Sequence, residues 1–496
     1  VGYTGKGNSG LESSYNYMLM ESHTSKLKQV KNEFSDAKNP GDSLYTTLNT
    51  TLQQAAADAL DGYRGAVVVL EAKTGRVLAN VSNPVFNPNT IDEDWEALNA
   101  DDESGVFLNR GLQGRYPPGS TFKIVTSLAY LRQNGTLDGF SFDCDGELTA
   151  GNYTIHCSGG EVHGPEDFAG AFAHSCNSAF AQIGLGLDKD AFRSLADSLY
   201  LNSRLDLELP TSKSSFDLDS TTADALVMQT SIGQGDTLVT PMEMALIASA
   251  VANDGEMIKP RYVDNIVSAD GQAVKTFYKE SLGTVMSESE ANTLTELMKG
   301  VVQSGTAVSL SDLPYNIAGK TGTAEILSTE EKDYLVSFIG FAPLDTPQVV
   351  VYVVVDRPNV EEQADSSYAQ YIAQAILDEI LPYMNIYPDE ETEETTKLWD
   401  GFKGVLKLDD SEVEVDEPAV QTEGSETDNA PDIEVVQDES GSSEEYNDEE
   451  SDGVASENVG YEENDSEDVS DEEDTSSDNF EEDTSNQDDY EEDEGE

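Results

Sequence analysis

Acidic residues dominate the last part of the chain and limit where a folded core can form. From Leu408 to Glu496 there are 40 Asp or Glu residues among 89 positions, and no Lys or Arg. A segment with so much charge and so few apolar residues cannot bury enough surface to offset the entropy lost on folding. We therefore expect residues 388–496 to be a disordered, low-complexity acidic tail and the core to lie before it.

The rest of the chain is acidic as well. The tail carries −40 of the net charge of −71, which leaves −31 for residues 1–407. Charge of this sign repels phosphates, so we expect no nucleic-acid partner.

No run of 18 apolar residues is present, so we expect no membrane-spanning helix in this sequence. Because the chain begins with Val and has no signal-peptide pattern, we expect an anchor or export signal upstream.

Residues 46–387 have the pattern of one mixed domain. Strand-like apolar runs occur near its start and near its end, and helical patterns lie between and after them. The predicted strands cover 65–71, 76–82, 317–326, 334–342 and 349–356, and the predicted helices cover 47–60, 121–132, 178–186, 241–254, 287–302 and 367–381. This order predicts an α/β (α+β) fold, with a mainly antiparallel sheet built from both ends of the domain, a cover of helices and an all-helical middle. Residues 1–45 show no core period, and we interpret them as the remnant of an upstream module.

Three short motifs occur in order along this domain. The first motif is Ser120-Thr-Phe-Lys123, the second motif is Ser175-Cys-Asn177 and the third motif is Lys320-Thr-Gly-Thr323. Each pattern is weak alone, because it recurs at Ser25–Lys28, Lys73–Gly75 and Ser477–Asn479. The surrounding sequence distinguishes the three ordered motifs from these repeats. Ser120 opens an apolar predicted helix, on which Ser120 and Lys123, at positions i and i+3, share one face.

The residue types of the three motifs suit acyl transfer by a serine. A serine hydroxyl is a poor nucleophile until a base removes its proton, and lysine is such a base only when burial or nearby cations lower its pKa. The third motif falls on a predicted strand, where Lys320 and the hydroxyls of Thr321 and Thr323 can hold a carboxylate. Gly322 would let a substrate backbone approach that strand closely.

The ordered set resembles the penicillin-binding protein and serine β-lactamase superfamily. Other stretches that resemble it are Asn109-Arg110, Cys144…Cys157…His163-Gly164, Gly233-Gln-Gly235, Thr240-Pro241, Ala252–Gly255, Gly305–Ala307 and Ser337–Pro343. The resemblance covers about residues 45–385. The stretch Gly10-Leu-Glu12 is similar to the end of the non-catalytic pedestal of class B, monofunctional enzymes of the PbpA-like type, so residues 1–45 are expected to be the remnant of a pedestal or dimerisation module.

The resemblance implies a role for each catalytic position. Ser120 would attack the penultimate D-Ala of a peptidoglycan stem peptide, and Lys123 would take its proton. Ser175 would pass a proton to the leaving D-Ala, Asn177 would position Lys123 and the substrate amide, and Lys320 would support the network electrostatically.

The resemblance also implies how substrate is held. Thr321, Gly322 and Thr323 would bind it, with the two threonines on the terminal carboxylate. The backbone N–H groups of Ser120 and Thr323 would form the oxyanion hole, which in acyl transfer contributes roughly 10²–10³-fold per donor.

The activity expected from this resemblance is that of a serine-type D,D-transpeptidase at the outer face of the cell membrane. Its expected partners are stem peptides or their lipid-linked precursor, β-lactam antibiotics and a polymerising glycosyltransferase. A D,D-carboxypeptidase, a serine β-lactamase and a non-catalytic β-lactam sensor or scaffold remain alternatives, because the motifs do not separate a transpeptidase from a carboxypeptidase.

The cysteines and histidines give no clear metal signature. The chain has three cysteines, Cys144, Cys157 and Cys176, and no two histidines have a ligand-like spacing. An odd, low count favours neither a disulfide scaffold nor a four-cysteine zinc site, so we expect no metal and no cofactor. Pairing of Cys144 with Cys157 stays open, Cys176 is interpreted as a packed residue, and His163 and His174 are interpreted as structural.

Overall fold

The computed structural model describes residues 9–101, 103–326 and 332–388, and these residues form fourteen α-helices, three short 3₁₀ helices and fourteen strands. The strands are β1 (Ser43–Thr46), β2 (Gly65–Glu71), β3 (Val77–Asn83), β4 (Phe142–Cys144), β5 (Glu147–Ala150), β6 (Tyr153–His156), β7 (Gly164–Glu166), β8 (Glu256–Ile258), β9 (Val263–Val267), β10 (Ala273–Thr276), β11 (Ser281–Thr284), β12 (Ala318–Ile326), β13 (Asp333–Ala342) and β14 (Val349–Asp356). The helices are α1 (Gly10–Ser14), α2 (Asn16–Met20), α3 (Lys26–Phe34), α4 (Thr50–Leu60), α5 (Ile91–Asn99), α6 (Arg110–Gln113), α7 (Lys123–Asn134), α8 (Phe168–Ala173), α9 (Asn177–Gly186), α10 (Lys189–Ser198), α11 (Asp224–Ser231), α12 (Pro241–Ala252), α13 (Glu288–Ser304) and α14 (Ser367–Tyr383).

A five-stranded sheet with the order β12-β13-β14-β2-β3 organises the domain. Every neighbouring pair in it is antiparallel. Strands β2 and β3 come from the start of the domain and β12 to β14 from its end, which confirms the predicted sheet. Strand β14 is buried along its whole length, as its nearly all-valine sequence requires of a strand covered on both faces.

Helices cover this sheet. Helices α4 and α14 pack on each other and on the sheet, and α12 lies against β2, β13 and β14. Every residue of α12 is buried. The starts of two helices are capped: Thr240 caps α12 with Pro241 at its first position, and Ser287 with Glu290 forms the capping box of α13. These caps satisfy N–H groups that would otherwise lack a partner at the helix starts.

The middle of the domain is not entirely helical, which corrects one part of the predicted fold. Strand β4 pairs with β7, β5 with β6, and β8 with β11. These strands are only three or four residues long. Such short segments have no room for a period-2 pattern, so their sequences gave no strand signal.

The segment before the domain packs on it. Strand β1 pairs with β9, and the expected boundary at residue 45 falls within β1. Leu11 is buried, and Tyr15 packs edge-on against Phe277. No helix among the described residues is long and apolar enough to cross a membrane. The predicted acidic tail, apart from Pro388, lies outside the described residues.

Candidate active site

The first motif forms a tight turn that leads into a helix. Residues Gly119–Phe122 adopt a 3₁₀ turn, and α7 begins at Lys123. The helix is capped after Asn134 by Gly135, which lies in the left-handed region with φ +75°. Gly119 also has a positive φ, +54°, and a Cβ there would lie 2.5 Å from the carbonyl oxygen of Thr323. Glycine is therefore required where the first motif rests on β12.

The second motif lies in the turn between α8 and α9. Ser175 has φ +57°, a left-handed conformation that is uncommon for a residue with a side chain. Such strained residues persist only where the surrounding structure holds them, and they cluster at functional sites. The Cys176 sulfur accepts a hydrogen bond from the Ala179 backbone N–H at 3.4 Å and caps α9. Cys176, which the sequence analysis interpreted as a packed residue, is fully buried and is also a helix cap.

The third motif lies on β12, the edge strand of the sheet beside the first motif. A Cβ at Gly322 would lie 2.3 Å from Ser337 Oγ and 3.0 Å from Thr121 Cγ2. This glycine therefore makes room for the protein's own neighbouring strand and first motif. The expected close approach of a substrate backbone to Gly322 stays a prediction beside this packing role.

The side chains of the three motifs meet at the hydroxyl of Ser175. Lys123 Nζ donates to Ser175 Oγ at 3.2 Å, and Lys320 Nζ donates to the same oxygen at 2.9 Å. Lys123 Nζ also donates to Asn177 Oδ1 at 2.9 Å and to the Ser175 carbonyl oxygen at 2.6 Å. Four of the five predicted catalytic side chains thus form one hydrogen-bonded network.

The fifth predicted catalytic side chain, Ser120, borders the same cleft. Among the described residues, no hydrogen bond joins Lys123 Nζ to Ser120 Oγ, because the amine is turned toward Ser175 and Asn177. Hydrogen bonds of catalytic groups are often long before substrate binds and tighten only in the reacting complex.

Both lysine amines are removed from water. Lys123 and Lys320 are fully buried, and their amines lie 5.2 Å from the ring of Phe180 and 5.7 Å from that of Phe172. Burial lowers the pKa of Lys123 to about 7, although the nearby thiols of Cys176 and Cys157 act in the opposite direction. Burial, with repulsion from Lys123, also holds the pKa of Lys320 well below its usual range.

The two threonines of the third motif face the cleft from β12. Thr321 Oγ1 is hydrogen-bonded to Thr306 Oγ1 at 2.6 Å, and Thr323 Oγ1 donates to the Ala364 carbonyl oxygen at 3.2 Å. The cleft has a volume of about 770 Å³ and is lined by Ser120, Ser175, Asn177, Thr321 and Thr323 together.

Other residues that line the cleft were not expected from the sequence. They include Tyr153, His156, Gln229, Glu362 and Asp365. They lie on separate loops and short elements that carry no motif, so only the folded chain brings them together. Among the residues named in the sequence analysis, His163, His174 and Gln234 also reach the cleft.

A group of thiols and one imidazole lies directly behind the second motif. Cys144, Cys157, His163 and Cys176 place their potential ligand atoms within 4.8 Å of one another. All three cysteines are free, and the sulfurs of Cys144 and Cys157 are 3.7 Å apart. A hydrogen bond with Cys176 lowers the pKa of the Cys157 thiol, against the effect of burial. The sequence analysis predicted no metal because it took the spacings of the cysteines and of the histidines separately. It did not consider three cysteines and one histidine as a single set.

Comparison with known proteins gives the same family as these motifs. Residues 65–378 match the family model of the penicillin binding protein transpeptidase domain. The chain is 32% identical over 378 residues to the peptidoglycan D,D-transpeptidase PbpA of Mycolicibacterium smegmatis, which covers 71% of this chain and 75% of that protein.

Solved structures agree with this match. The crystal structure of PBPA from Mycobacterium tuberculosis superimposes with a TM-score of 0.69 at 29% identity, over 76% of this chain and 90% of that one. A structure of the same protein as its imipenem acyl-enzyme complex matches with a TM-score of 0.69 at 28% identity, over 77% and 90% of the two chains. The chain belongs to the penicillin-binding protein transpeptidase family.

Proposed function

We propose that this transpeptidase cross-links peptidoglycan stem peptides through an acyl-enzyme on Ser120. The observation that carries the proposal is the convergence of Lys123 and Lys320 on the Ser175 hydroxyl, in the cleft that Ser120 also lines. A serine beside a buried, low-pKa lysine is an activated nucleophile.

In the first half-reaction, Lys123 acts as the base. Its neutral amine takes the proton of Ser120 Oγ as that oxygen attacks the carbonyl carbon of the penultimate D-Ala. Because burial lowers the pKa of Lys123 to about 7, a large share of this amine is neutral near neutral pH. The backbone N–H groups of Ser120 and Thr323 stabilise the oxyanion, and the hydroxyls of Thr321 and Thr323 hold the terminal carboxylate.

Ser175 then delivers a proton to the leaving group. Its oxygen accepts hydrogen bonds from both Lys123 and Lys320, which occupy its two lone pairs and leave its own proton to point elsewhere. We assign that proton to the nitrogen of the departing D-Ala as the scissile C–N bond breaks. Lys123 returns the proton it took from Ser120 to Ser175 Oγ, which restores the hydroxyl.

In the second half-reaction an amine of a neighbouring stem attacks the ester carbonyl. The amine loses a proton to the Lys123–Ser175 pair as the new amide bond forms. The ester C–O bond breaks, and Lys123 returns that proton to Ser120 Oγ, which leaves as the hydroxyl. Asn177, whose side-chain oxygen accepts from Lys123 at 2.9 Å, keeps that amine oriented through both steps. β-Lactams acylate the same Ser120 oxygen.

The setting of this reaction is also part of the proposal. The substrate lies on the outer face of the cell membrane, so the enzyme works there, beside a glycosyltransferase that supplies uncross-linked strands. Residues 9–45, which pack on the domain through β1, Leu11 and Tyr15, are the end of a pedestal.

The products of a defined donor test this function. A donor peptide ending in D-Ala-D-Ala is incubated with the purified chain and increasing amounts of an acceptor amine, and free D-Ala and cross-linked product are quantified by mass spectrometry. We expect D-Ala release with a cross-linked product that rises with acceptor. Release by hydrolysis alone, whatever the acceptor concentration, identifies a carboxypeptidase, and rapid turnover of penicillin identifies a β-lactamase.

The pKa of Lys123 predicts how acylation depends on pH. The base must be neutral, and its pKa is about 7, so the rate of acylation by penicillin should rise with pH through about 7 and then level off. Stopped-time fluorescence labelling from about pH 5 to about pH 9 measures this profile. Circular dichroism at each pH verifies that the protein stays folded. A rate that falls with pH across this window would show that Lys123 does not act as the base.

A further inference from the structure

A histidine and a carboxylate form a pair beside the second motif. His174 directly precedes Ser175 in the chain and lines the cleft with it. Its Nδ1 lies 2.7 Å from Glu166 Oε1. A carboxylate can only accept a hydrogen bond, so Nδ1 is the donor, and a neutral imidazole then has its lone pair on Nε2. Neither residue has a role in the half-reactions proposed for this site.

The fold keeps the carboxylate of this pair out of water. Glu166 ends β7 and is buried. Its other oxygen, Oε2, occupies space on α8 that a side chain would fill, because a Cβ at Gly170 would lie 2.0 Å from it. Burial of a carboxylate costs free energy unless the charge is paired and hydrogen-bonded. The pairing with His174 offsets that cost, and it also fixes the orientation of the imidazole.

The imidazole is held on two sides but stays open to the cleft. Nδ1 is fixed by Glu166, and the ring of His163 lies parallel to that of His174, with ring centroids 6.0 Å apart and an interplanar angle of 8°. The His174 side chain is nevertheless half exposed. Because the Nδ1 edge lies against a buried carboxylate, the exposed part of the ring is the edge that carries Nε2. A hydrogen-bond acceptor of fixed direction is therefore available in the cleft, one residue before Ser175.

We propose that His174 Nε2 accepts a hydrogen bond from the attacking amine in the second half-reaction, and that Glu166 is the positioning residue of His174. This inference rests on the proposed function. The attacking nitrogen takes the place of the departed D-Ala nitrogen, since it bonds to the same carbonyl carbon from which the D-Ala nitrogen was released. That place is beside Ser175 Oγ, which accepts the proton of the amine, and His174 is the adjacent residue in the chain.

The protons of the amine define what this hydrogen bond does. A primary amine that attacks the ester carries two protons on its nitrogen. One passes to the Lys123–Ser175 pair as the C–N bond forms, and it returns to Ser120 Oγ as the ester C–O bond breaks. The other proton stays on the nitrogen of the new amide, and this is the proton directed at His174 Nε2. His174 therefore gains and loses no proton, and its hydrogen bond aims the lone pair of the amine at the ester carbonyl.

A pair of acceptors isolates this hydrogen bond. A secondary amine carries a single proton on its nitrogen, which passes to the Lys123–Ser175 pair and leaves none for His174. Acyl transfer is measured by mass spectrometry with a primary-amine acceptor peptide and with the same peptide N-methylated on that amine. In His174→Phe, which keeps an aromatic ring without an acceptor atom, we expect the second-order rate with the primary amine to fall about 10-fold, near the upper end of what one neutral hydrogen bond contributes. The rate with the N-methyl amine should stay at the wild-type value, so the preference for the primary amine falls by the same factor.

Three further variants complete the experiment. Glu166→Gln should reduce the same preference, because its amide can donate to Nδ1 and leave the imidazole proton on Nε2. His174→Ala repeats the test with a smaller side chain if the phenylalanine variant does not fold. His23→Phe is the matched control, because His23 Nδ1 pairs with Asp42 at 2.5 Å with side-chain exposures of 48% and 1%, against 47% and 6% for His174 and Glu166. His23 lies between α2 and α3, in the segment before the domain, and its variant should keep the wild-type preference.

Penicillin labelling of each variant reports separately on Ser120. The labelling rate should be unchanged, because His174 acts only after the acyl-enzyme has formed. A loss of equal size with both acceptors, or slower labelling, would show that His174 only supports the structure. An unchanged preference in His174→Phe would show that this residue does not contact the amine, and each of these results overturns the inference. A wild type that forms no penicillin adduct, or that transfers its acyl group to neither amine, refutes the proposed function instead, so the two failures are distinguished.

Discussion

Replacing Ser120 by alanine should abolish covalent labelling by a fluorescent penicillin. The wild-type chain is expected to take up one label on Ser120, which lines the cleft, because the other cleft serine of the motifs, Ser175, is hydrogen-bonded to the buried amines of Lys123 and Lys320. Without its oxygen no ester forms, whatever the state of the amines. Gel fluorescence and intact mass measure the adduct, and circular dichroism verifies that the variant is folded.

The chain contains a matched control for this experiment. Ser25 has the same spacing to Lys28 as Ser120 has to Lys123, but Ser25 precedes the exposed helix α3 and Lys28 is paired with Asp270 at 2.6 Å. Ser25→Ala should label like the wild type. An adduct that persists in Ser120→Ala would assign the nucleophile to another residue.

Replacing Lys123 should slow acylation by about 10²–10⁴-fold, the usual contribution of a general base. Two variants distinguish a role of Lys123 as the base from a role of its positive charge. Lys123→Ala removes both, whereas Lys123→Arg keeps a cation that cannot be deprotonated in a protein. If Lys123 acts as the base, both variants should be slow, and the second-order rate of penicillin labelling measures this.

The expected outcome for Lys123→Arg is the informative one. An arginine that restores most of the rate would mean that the positive charge matters and that another group takes the proton. Lys28→Ala and Lys28→Arg are the matched controls, and both should acylate at the wild-type rate. Thermal melting of each Lys123 variant separates a chemical effect from a packing defect, because this side chain is fully buried.

The central sheet could be predicted from the sequence because its strands are long and strongly patterned. The bounds of β2, β12, β13 and β14 agree with the predicted runs to within one residue. The starts of α12 and α13 agree with the predicted starts at 241 and 287 to within one residue. The small strands of the middle were missed, since β4 and β7 are only three residues each and their pairing is fixed by tertiary contacts.

The active site was predicted in its parts but not in its arrangement. Spacing identified the three motifs, yet it gave no reason to expect that Ser175 would receive both lysine amines in a left-handed conformation. The four residues behind the second motif were missed for a related reason. Each was visible in the sequence, but their common location depends on how β4, β6 and α9 pack.

The buried amine of Lys123 has a consequence for folding as well as for chemistry. In the unfolded chain its pKa is the ordinary 10.5, whereas in the folded chain it is about 7. Between these two values the unfolded chain binds more protons than the folded one, so this residue makes the free energy of unfolding increase with pH. Its contribution is fully favourable only above the unfolded pKa and is lost as the pH falls toward 7. Burial of a lysine that is neutral enough to accept a proton therefore lowers the free energy of unfolding at neutral pH. The packing of the surrounding core must offset that cost.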